Sequence, residues 1–140
     1  MTRGNKKPRP PEKSYVHVPL LDKLGVKPES RVAVVKISDA GFLVQLRERA
    51  KDVSLRCPRE NSDLIFLAIE SKADLEQLLE LRPHLKSNGA IWAVYPKGVD
   101  YVREADVRGM ALASGLVDIK VVSFSATHTA LKLVIPLAQR

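Results

Sequence analysis

The chain has 140 residues, 45% hydrophobic and 28% charged, which supplies enough apolar material for one core but not for two. Its longest apolar run, Leu64 to Ile69, is six residues, far below the ~20 that a membrane-spanning helix needs. The N-terminus lacks the apolar segment of a signal peptide, and the single cysteine, Cys57, excludes an intramolecular disulfide. We therefore expect one soluble domain in the cytoplasm.

The net charge of +7 is distributed unevenly along the chain. Residues 1–14 contain five basic residues and one acidic residue, a net charge of +4, whereas the other 126 residues contain 18 basic and 15 acidic ones, a net charge of +3. The first segment is also rich in proline and poor in apolar residues, so burial cannot offset the entropy cost of ordering it. We predict a disordered tail over residues 1–14 and a single domain over residues 15–140.

The first predicted element is a short helix or turn between Tyr15 and Leu24, with Gly25 as its C-terminal cap. The run Arg31–Ile37 is β-branched and almost entirely apolar, which is typical of a strand buried on both faces. A helix follows, with Ser38 or Asp39 as its N-cap. The buried stripe of that helix is expected to consist of Phe42, Leu43, Leu46 and Ala50.

Two further strands and a second long helical segment follow in the middle of the chain. A short strand is predicted over Val53–Cys57, and Asp63–Glu70 has the pattern of another strand buried on both faces. The next helix begins at Ser71, and Pro83 ends its regular part. Its buried face is expected to comprise Leu75, Leu78, Leu79 and Leu85.

The last third of the chain contains one more core strand, one helix and a hairpin. Asn88-Gly89 predicts a turn before the strand Ala90–Tyr95, and the helix spans Val102–Ser114. Two β segments, Val117–Phe124 and Thr129–Ile135, are separated by about four residues, which favours a hairpin.

Strands and helices alternate over residues 31–116, which predicts a mainly parallel sheet with right-handed crossovers. The hairpin adds one antiparallel strand. The predicted fold is a three-layer, Rossmann-like α/β domain with about six strands, the last of them antiparallel.

This order of elements, together with several short segments, resembles the S-adenosylmethionine methyltransferase-like branch of Rossmann-type folds. The segments are Leu24–Pro28, Asp63–Ile65 and Leu85–Trp92. More narrowly, Trp92–Lys97 and Leu131–Val134 look like an uncharacterised bacterial family of small proteins, a domain of unknown function similar to a shortened methyltransferase. The resemblance covers about residues 15–136 and implies the fold rather than an activity.

Two departures from the methyltransferase pattern argue against cofactor binding. That pattern has an acidic residue at the end of the first strand and a Gly-rich turn after it, whereas the matching stretch here, Lys36–Gly41, has one glycine. About 25 residues separate the first strand from the strand at Asp63, where the pattern has two strands with their helices and an acid for the cofactor ribose. We expect half of the cofactor pocket to be missing and predict no cofactor, with S-adenosylmethionine as the alternative.

Polar residues follow several of the predicted strands. Ligands of open α/β sheets bind beyond the carboxyl ends of the strands, so we expect these residues to form one ligand site. The candidates are Ser38, Asp39, Gly41, Glu70, Ser71, Tyr95, Lys97 and His128, with Ser125 and Thr127 beside His128 at the hairpin tip. Each has an ordinary structural alternative: Ser38, Asp39 and Ser71 are good helix caps, and Glu70 and Lys97 suit a solvated strand end and loop.

Other kinds of chemistry find no support in the sequence. His17, His84 and His128 have no metal-ligand spacing, and no Gly-x-Ser-x-Gly elbow is present. Cys57 is interpreted as a small buried or half-buried hydrophobe and Trp92 as core packing. We predict neither catalytic residues nor a metal site.

We therefore interpret the chain as a non-catalytic or ligand-binding Rossmann-like module that has lost the Gly-rich cofactor loop. An atypical S-adenosylmethionine-dependent methyltransferase with a compressed pocket is the first alternative. The second is a nucleic-acid-associated protein whose basic tail makes weak, salt-sensitive contacts. Exposed edge strands are compatible with a homodimer, and no membrane partner is expected.

Overall fold

The computed structural model describes residues 19–55 and 60–140. The tail predicted over residues 1–14, the start of the predicted helix at Tyr15, and Cys57 lie outside the described residues.

Six strands of the described chain form one sheet. They are β1 Arg31–Val35, β2 Asp52–Ser54, β3 Ser62–Ala68, β4 Leu85–Pro96, β5 Val117–Ser123 and β6 His128–Val134. Their order across the sheet is β2-β1-β3-β4-β6-β5. Strands β1 to β4 are parallel to one another, and β6 runs antiparallel to both of its neighbours, β4 and β5. The predicted α/β class, the mainly parallel sheet and the C-terminal hairpin are confirmed.

Helices cover both faces of the sheet. They are α1 Leu20–Lys23, α2 Ala40–Arg49, α3 Gln77–Leu81 and α4 Glu104–Ala113, with 3-10 segments at Lys72–Glu76, Arg82–His84 and Leu137–Gln139. Apolar side chains of α1 and α2 pack on one face, and those of α3 and α4 pack on the other. Along β3, Ile65 and Phe66 contribute to opposite faces and both are fully buried. The two-sided burial predicted from the apolar runs is therefore present.

The turn predicted at Asn88-Gly89 is wrong, because both residues lie inside β4. The register between β3 and β4 shifts between Ser62 and Leu64, so the start of β4 bulges away from its neighbour. At Gly89, a Cβ atom would lie 2.7 Å from the backbone oxygen of Asp63. Gly89 therefore permits the close approach of β3 and β4 and does not form a turn.

The buried face predicted for the helix after Ser71 is partly wrong. Leu75 and Leu78 are buried as expected, but Leu79 is 61% exposed and Leu81 takes its place in the core. The residues Lys72–Glu76 form a 3-10 segment, with three residues per turn, so the phase of the apolar stripe differs from that of a continuous α-helix.

Candidate functional site

A cleft of about 310 Å³, which we call the edge cleft, opens at the carboxyl ends of β1 and β3. The loop after β1, the end of β3 and the tip of the β5–β6 hairpin line it. Four of the predicted site residues meet there, namely Ser38, Asp39, Glu70 and His128. Its volume is close to the lower limit of about 300 Å³ for small-molecule pockets.

The imidazole of His128 joins two walls of the edge cleft. Its Nε2 atom lies 2.9 Å from Oε2 of Glu70, and its Nδ1 atom lies 2.8 Å from Oγ1 of Thr127. A neutral imidazole that donates from Nε2 to the carboxylate accepts the hydroxyl proton of Thr127 at Nδ1. The three side chains thus form one hydrogen-bonded line between the hairpin tip and the end of β3.

The hairpin tip is held in place by its own hydrogen bonds. The Oγ atom of Ser125 accepts the backbone N–H groups of Thr127, at 3.2 Å, and His128, at 3.1 Å. The backbone carbonyl of His128 accepts the N–H groups of Phe124 and Ser125. Because these bonds fix the backbone of the tip, the imidazole of His128 is presented to Glu70 from a defined position.

Phe124, which lines the edge cleft, packs against Phe42. Phe42 in α2 is 4% exposed, and its ring centroid lies 5.2 Å from that of Phe66 and 4.7 Å from that of Phe124. The wall of the cleft at Phe124 is therefore backed by buried aromatic side chains of α2 and β3. Phe42 was predicted as a core residue, whereas the part that Phe124 plays in this wall has no signal in the sequence.

An ion pair connects the loop after β1 to the segment after β3. Lys36 has a left-handed φ of 67°, and its Nζ atom lies 3.0 Å from Oδ1 of Asp74. The other oxygen of Asp74 accepts the backbone N–H of Glu70 at 2.9 Å. Burial raises the pKa of Asp74, but the hydrogen bond from Glu70 and the Lys36 ammonium together outweigh it, so that the pKa is lowered. Sequence reasoning missed this pair, since 38 residues separate its members.

Of the predicted helix caps Asp39 and Ser71, only Asp39 makes a capping hydrogen bond. Asp39 is the N-cap of α2, and its side chain accepts the backbone N–H of Phe42 at 3.1 Å. Ser71 precedes the 3-10 segment but its side chain makes no capping hydrogen bond, because the Asp74 carboxylate already binds the backbone there. Gly41 is the second residue of α2 and does not line the edge cleft.

Tyr95 and Lys97 lie apart from the edge cleft. They line a separate cavity of about 330 Å³, because Tyr95 faces the α4 side of the sheet while its neighbour Val94 faces the edge cleft. The hydroxyl of Tyr95 donates to Oε1 of Glu104 at 3.0 Å, and burial and this carboxylate raise the pKa of Tyr95. The ammonium of Lys97 lies 2.7 Å from Oγ of Ser123. The eight predicted residues therefore do not form one site.

No group of histidine, cysteine, aspartate and glutamate side chains in residues 19–55 and 60–140 is arranged to hold a metal ion. In the same ranges no helix has the length and apolar character needed to cross a membrane.

Comparison with solved structures places the fold among methyltransferases. The chain is similar to a SAM-dependent methyltransferase from Aquifex aeolicus, with 18% identity, a TM-score of 0.65, and coverage of 90% of this chain and 89% of that one. It is also similar to a protein from Sulfolobus solfataricus described as a type 11 methyltransferase, with 17% identity, a TM-score of 0.64 and coverage of 94% and 95%. A third is magnesium protoporphyrin IX methyltransferase from Synechocystis PCC 6803 with bound SAM, with 11% identity, a TM-score of 0.60 and coverage of 84% and 74%.

No protein-family model matches the sequence, and no curated protein matches it either. The solved structures therefore establish a Rossmann-like, methyltransferase-like fold and leave the membership of a bacterial family a prediction. They also correct one step of the sequence argument. Nearly the whole length of the Aquifex and Sulfolobus proteins is matched, so the shortness of this chain does not by itself separate it from methyltransferases.

Proposed function

We propose that this protein is a ligand-binding module on a methyltransferase-like scaffold, and that the edge cleft takes a small ligand with a hydroxyl or ammonium group. The observation that carries the proposal is the contact of 2.9 Å between Glu70 and His128 in the wall of the cleft. The pair offers a carboxylate and an imidazole side by side, which suits both donors and acceptors of a ligand.

Two carboxylates, Asp39 and Glu70, line the edge cleft, and a third, Asp74, is bonded to residues of its lining. They differ in their availability to a ligand. The Asp39 side chain caps α2, and both oxygens of Asp74 are bound, one to Lys36 and one to the backbone of Glu70. Glu70 touches His128 through one oxygen while 57% of its side chain is exposed. A ligand that binds to Glu70 therefore disturbs neither the cap of α2 nor the hydrogen bonds of Asp74.

The geometry favours binding over methyl transfer for two reasons. The single glycine of the loop after β1, Gly41, lies inside α2, so the turn itself carries side chains where a cofactor would need close contact with backbone. A transferase must also hold a methyl donor and an acceptor together. A cleft of about 310 Å³ is small for two ligands.

A second candidate function is an S-adenosylmethionine-dependent methyltransferase. It is favoured by the full-length similarity to the Aquifex and Sulfolobus proteins. The left-handed φ of 67° at Lys36 also gives the loop after β1 a conformation for which glycine is the usual residue. In this candidate the cofactor binds at the same edge of the sheet.

Calorimetric titration of the full chain separates the two candidates. Saturable binding of S-adenosylmethionine or S-adenosylhomocysteine with a micromolar Kd supports the transferase and overturns the first proposal. The first proposal predicts a flat titration with both compounds.

A positive test of the first proposal uses ethanolamine, which carries both a hydroxyl and an ammonium group. We expect ethanolamine to shift the NMR signals of Glu70 and His128 in a saturable manner. The Glu70→Gln variant should lose this response, whereas Lys97→Met, in the separate cavity, should keep it. Equal responses of the wild type and Glu70→Gln would contradict the assignment of the site.

A further inference from the structure

A cavity of about 530 Å³, which we call the basal groove, lies at the opposite end of the strands from the edge cleft. The segment between α1 and β1, the first residues of β3, the bulged start of β4 and the end of β6 line it. None of the predicted site residues lies in it. Its lining includes the side chain of Lys132, at the centre of β6.

Two lysines face each other across the last two strands beside this groove. Lys120 in β5 and Lys132 in β6 are register partners, so their side chains leave the sheet on the same face. Like charges directly opposite each other in an antiparallel pair destabilise a sheet. Burial, and secondarily the charge of Lys120, lower the pKa of Lys132.

The surroundings of the pair do not neutralise it. On its other side, Lys132 is the register partner of Trp92, and its Nζ atom lies 5.9 Å from the centroid of that ring. The ammonium of Lys120 donates to the backbone oxygen of Lys23 at 3.2 Å. Among the described residues neither ammonium group forms an ion pair, because these contacts are to a ring and a carbonyl, which carry no net charge.

The basal groove as a whole carries an excess of positive charge. Lys27, Lys132 and Arg140 line it together with the carboxylates of Glu29 and Asp63. Asp63 accepts the backbone N–H of Arg31 at 2.8 Å and lies 3.5 Å from the ammonium of Lys86, which is outside the lining. Among the described side chains that line the groove, three are cationic and two are carboxylates, and one of these carboxylates, Asp63, is already engaged by Lys86.

We propose that the basal groove binds a phosphate monoester. Its contacts are the ammonium group of Lys132, which lines the groove, and that of Lys120, which lies outside the lining as the register partner of Lys132. A phosphate monoester carries close to two negative charges above its second pKa of about 6, and so matches two lysines. A phosphodiester carries one charge and would leave one lysine unpaired. A volume of about 530 Å³ leaves room for a small organic group attached to the phosphate.

The single tryptophan of the chain provides a direct readout. Because Lys132 lies over the ring of Trp92, an anion bound to its ammonium should change the emission of the indole. The full chain is titrated at pH 8 with inorganic phosphate and with glycerol 3-phosphate, and sodium chloride of equal ionic strength is the reference. We expect a saturable change with both phosphates and none with chloride.

Variants of the two lysines test the contacts, with calorimetry as a readout independent of fluorescence. Lys132→Met should raise the Kd for phosphate by about 10-fold or more, because a charge-assisted hydrogen bond is lost. Lys120→Met should also raise it, and Lys132→Arg should retain binding. Lys72→Met, which removes an exposed lysine in the 3-10 segment after β3, is the matched control. Circular dichroism verifies that each variant is folded.

Three results would overturn the proposal: equal responses to phosphate and chloride, an unchanged Kd in Lys132→Met, or tighter binding of a thymidine oligonucleotide than of glycerol 3-phosphate. The last would assign the groove to a phosphodiester backbone instead. The groove and the edge cleft are at opposite ends of the sheet, so the proposal stands or fails independently of the proposed function.

Discussion

The indole nitrogen of Trp92 donates a hydrogen bond of 3.0 Å to the backbone oxygen of Leu24. Trp92 is at the centre of β4 and fully buried, and Leu24 is the C-terminal cap of α1. The bond therefore connects the middle of the sheet to the helix that borders the basal groove. Both groups would be buried without a partner if it were broken.

We expect Trp92→Phe to lower the free energy of unfolding by about 1–3 kcal/mol, because it leaves the carbonyl of Leu24 without its donor. Urea denaturation followed by circular dichroism measures the change. An unchanged urea midpoint would show that water replaces the indole at no cost.

Gly89 should be intolerant of even one methyl group. In Gly89→Ala the new Cβ would lie 2.7 Å from the backbone oxygen of Asp63 and 3.0 Å from that of Ser62, so the two strands must move apart. We expect a loss of about 2 kcal/mol or more. Gly109→Ala is the control, because it lies on the exposed side of α4 with nothing within 4 Å and should gain up to about 1 kcal/mol. Thermal unfolding of the two variants should shift in opposite directions.

The lowered pKa of Asp74 predicts a specific loss of stability in acid. A carboxyl group whose pKa is lower in the folded protein stabilises it above the unfolded pKa, and this stabilisation is lost as the pH falls through the folded pKa. The ordinary pKa is 3.8, so the loss occurs below about pH 4. We expect Asp74→Asn to be less stable than the wild type by about 1 kcal/mol at pH 7, and the difference to shrink below pH 4. A difference that stays constant from pH 7 to pH 2 would contradict this.

Reversing one charge of the cross-strand lysine pair should stabilise the protein. Lys120→Glu places opposite charges across β5 and β6, and we expect a gain of about 0.2–1 kcal/mol in the free energy of unfolding. The same variant should lose phosphate binding in the basal groove. A loss of stability in low salt would indicate that the lysines do not repel each other in the folded protein.

The contact between Glu70 and His128 should matter little for stability. The side chain of Glu70 is 57% exposed, and exposed contacts of this kind contribute at most about 1 kcal/mol. We expect Glu70→Gln to unfold within about 1 kcal/mol of the wild type while it loses the response to ethanolamine. A large destabilisation would assign the pair a structural role and count against the edge cleft as a binding site.

The fold could be predicted from the sequence because the patterns that specify its strands and helices lie within short segments of the chain. The apolar run of β3 and the paired segments of the hairpin are each specified within about 20 residues. The turn at Asn88-Gly89 was mistaken because the same residues fit a bulge, and only the neighbouring strand decides between the two. Leu79 was misplaced because a 3-10 segment shifts the helical phase.

The candidate site was predicted less completely than the fold. The rule about the carboxyl ends of strands predicts Glu70 and His128 at one edge, and both line the edge cleft. It does not indicate which of the neighbours Val94 and Tyr95 faces the edge cleft. The two side chains lie on opposite faces of the sheet, and the register of β4 decides which face each one takes. The basal groove had no sequence signal, since Lys120 and Lys132 become partners only through the pairing of β5 with β6.

The position of β6 has a consequence for the order of folding. Among the described strand pairs, β5 pairs with β6 alone, and β6 also completes the edge of β4. The strand that follows β5 in the chain thus lies inside the sheet, and β5 forms its outer border. As the chain leaves the ribosome, the apolar edge of β4 and the whole of β5 stay unpaired until His128–Val134 has emerged. A pause in synthesis before that segment would expose the central strand to aggregation.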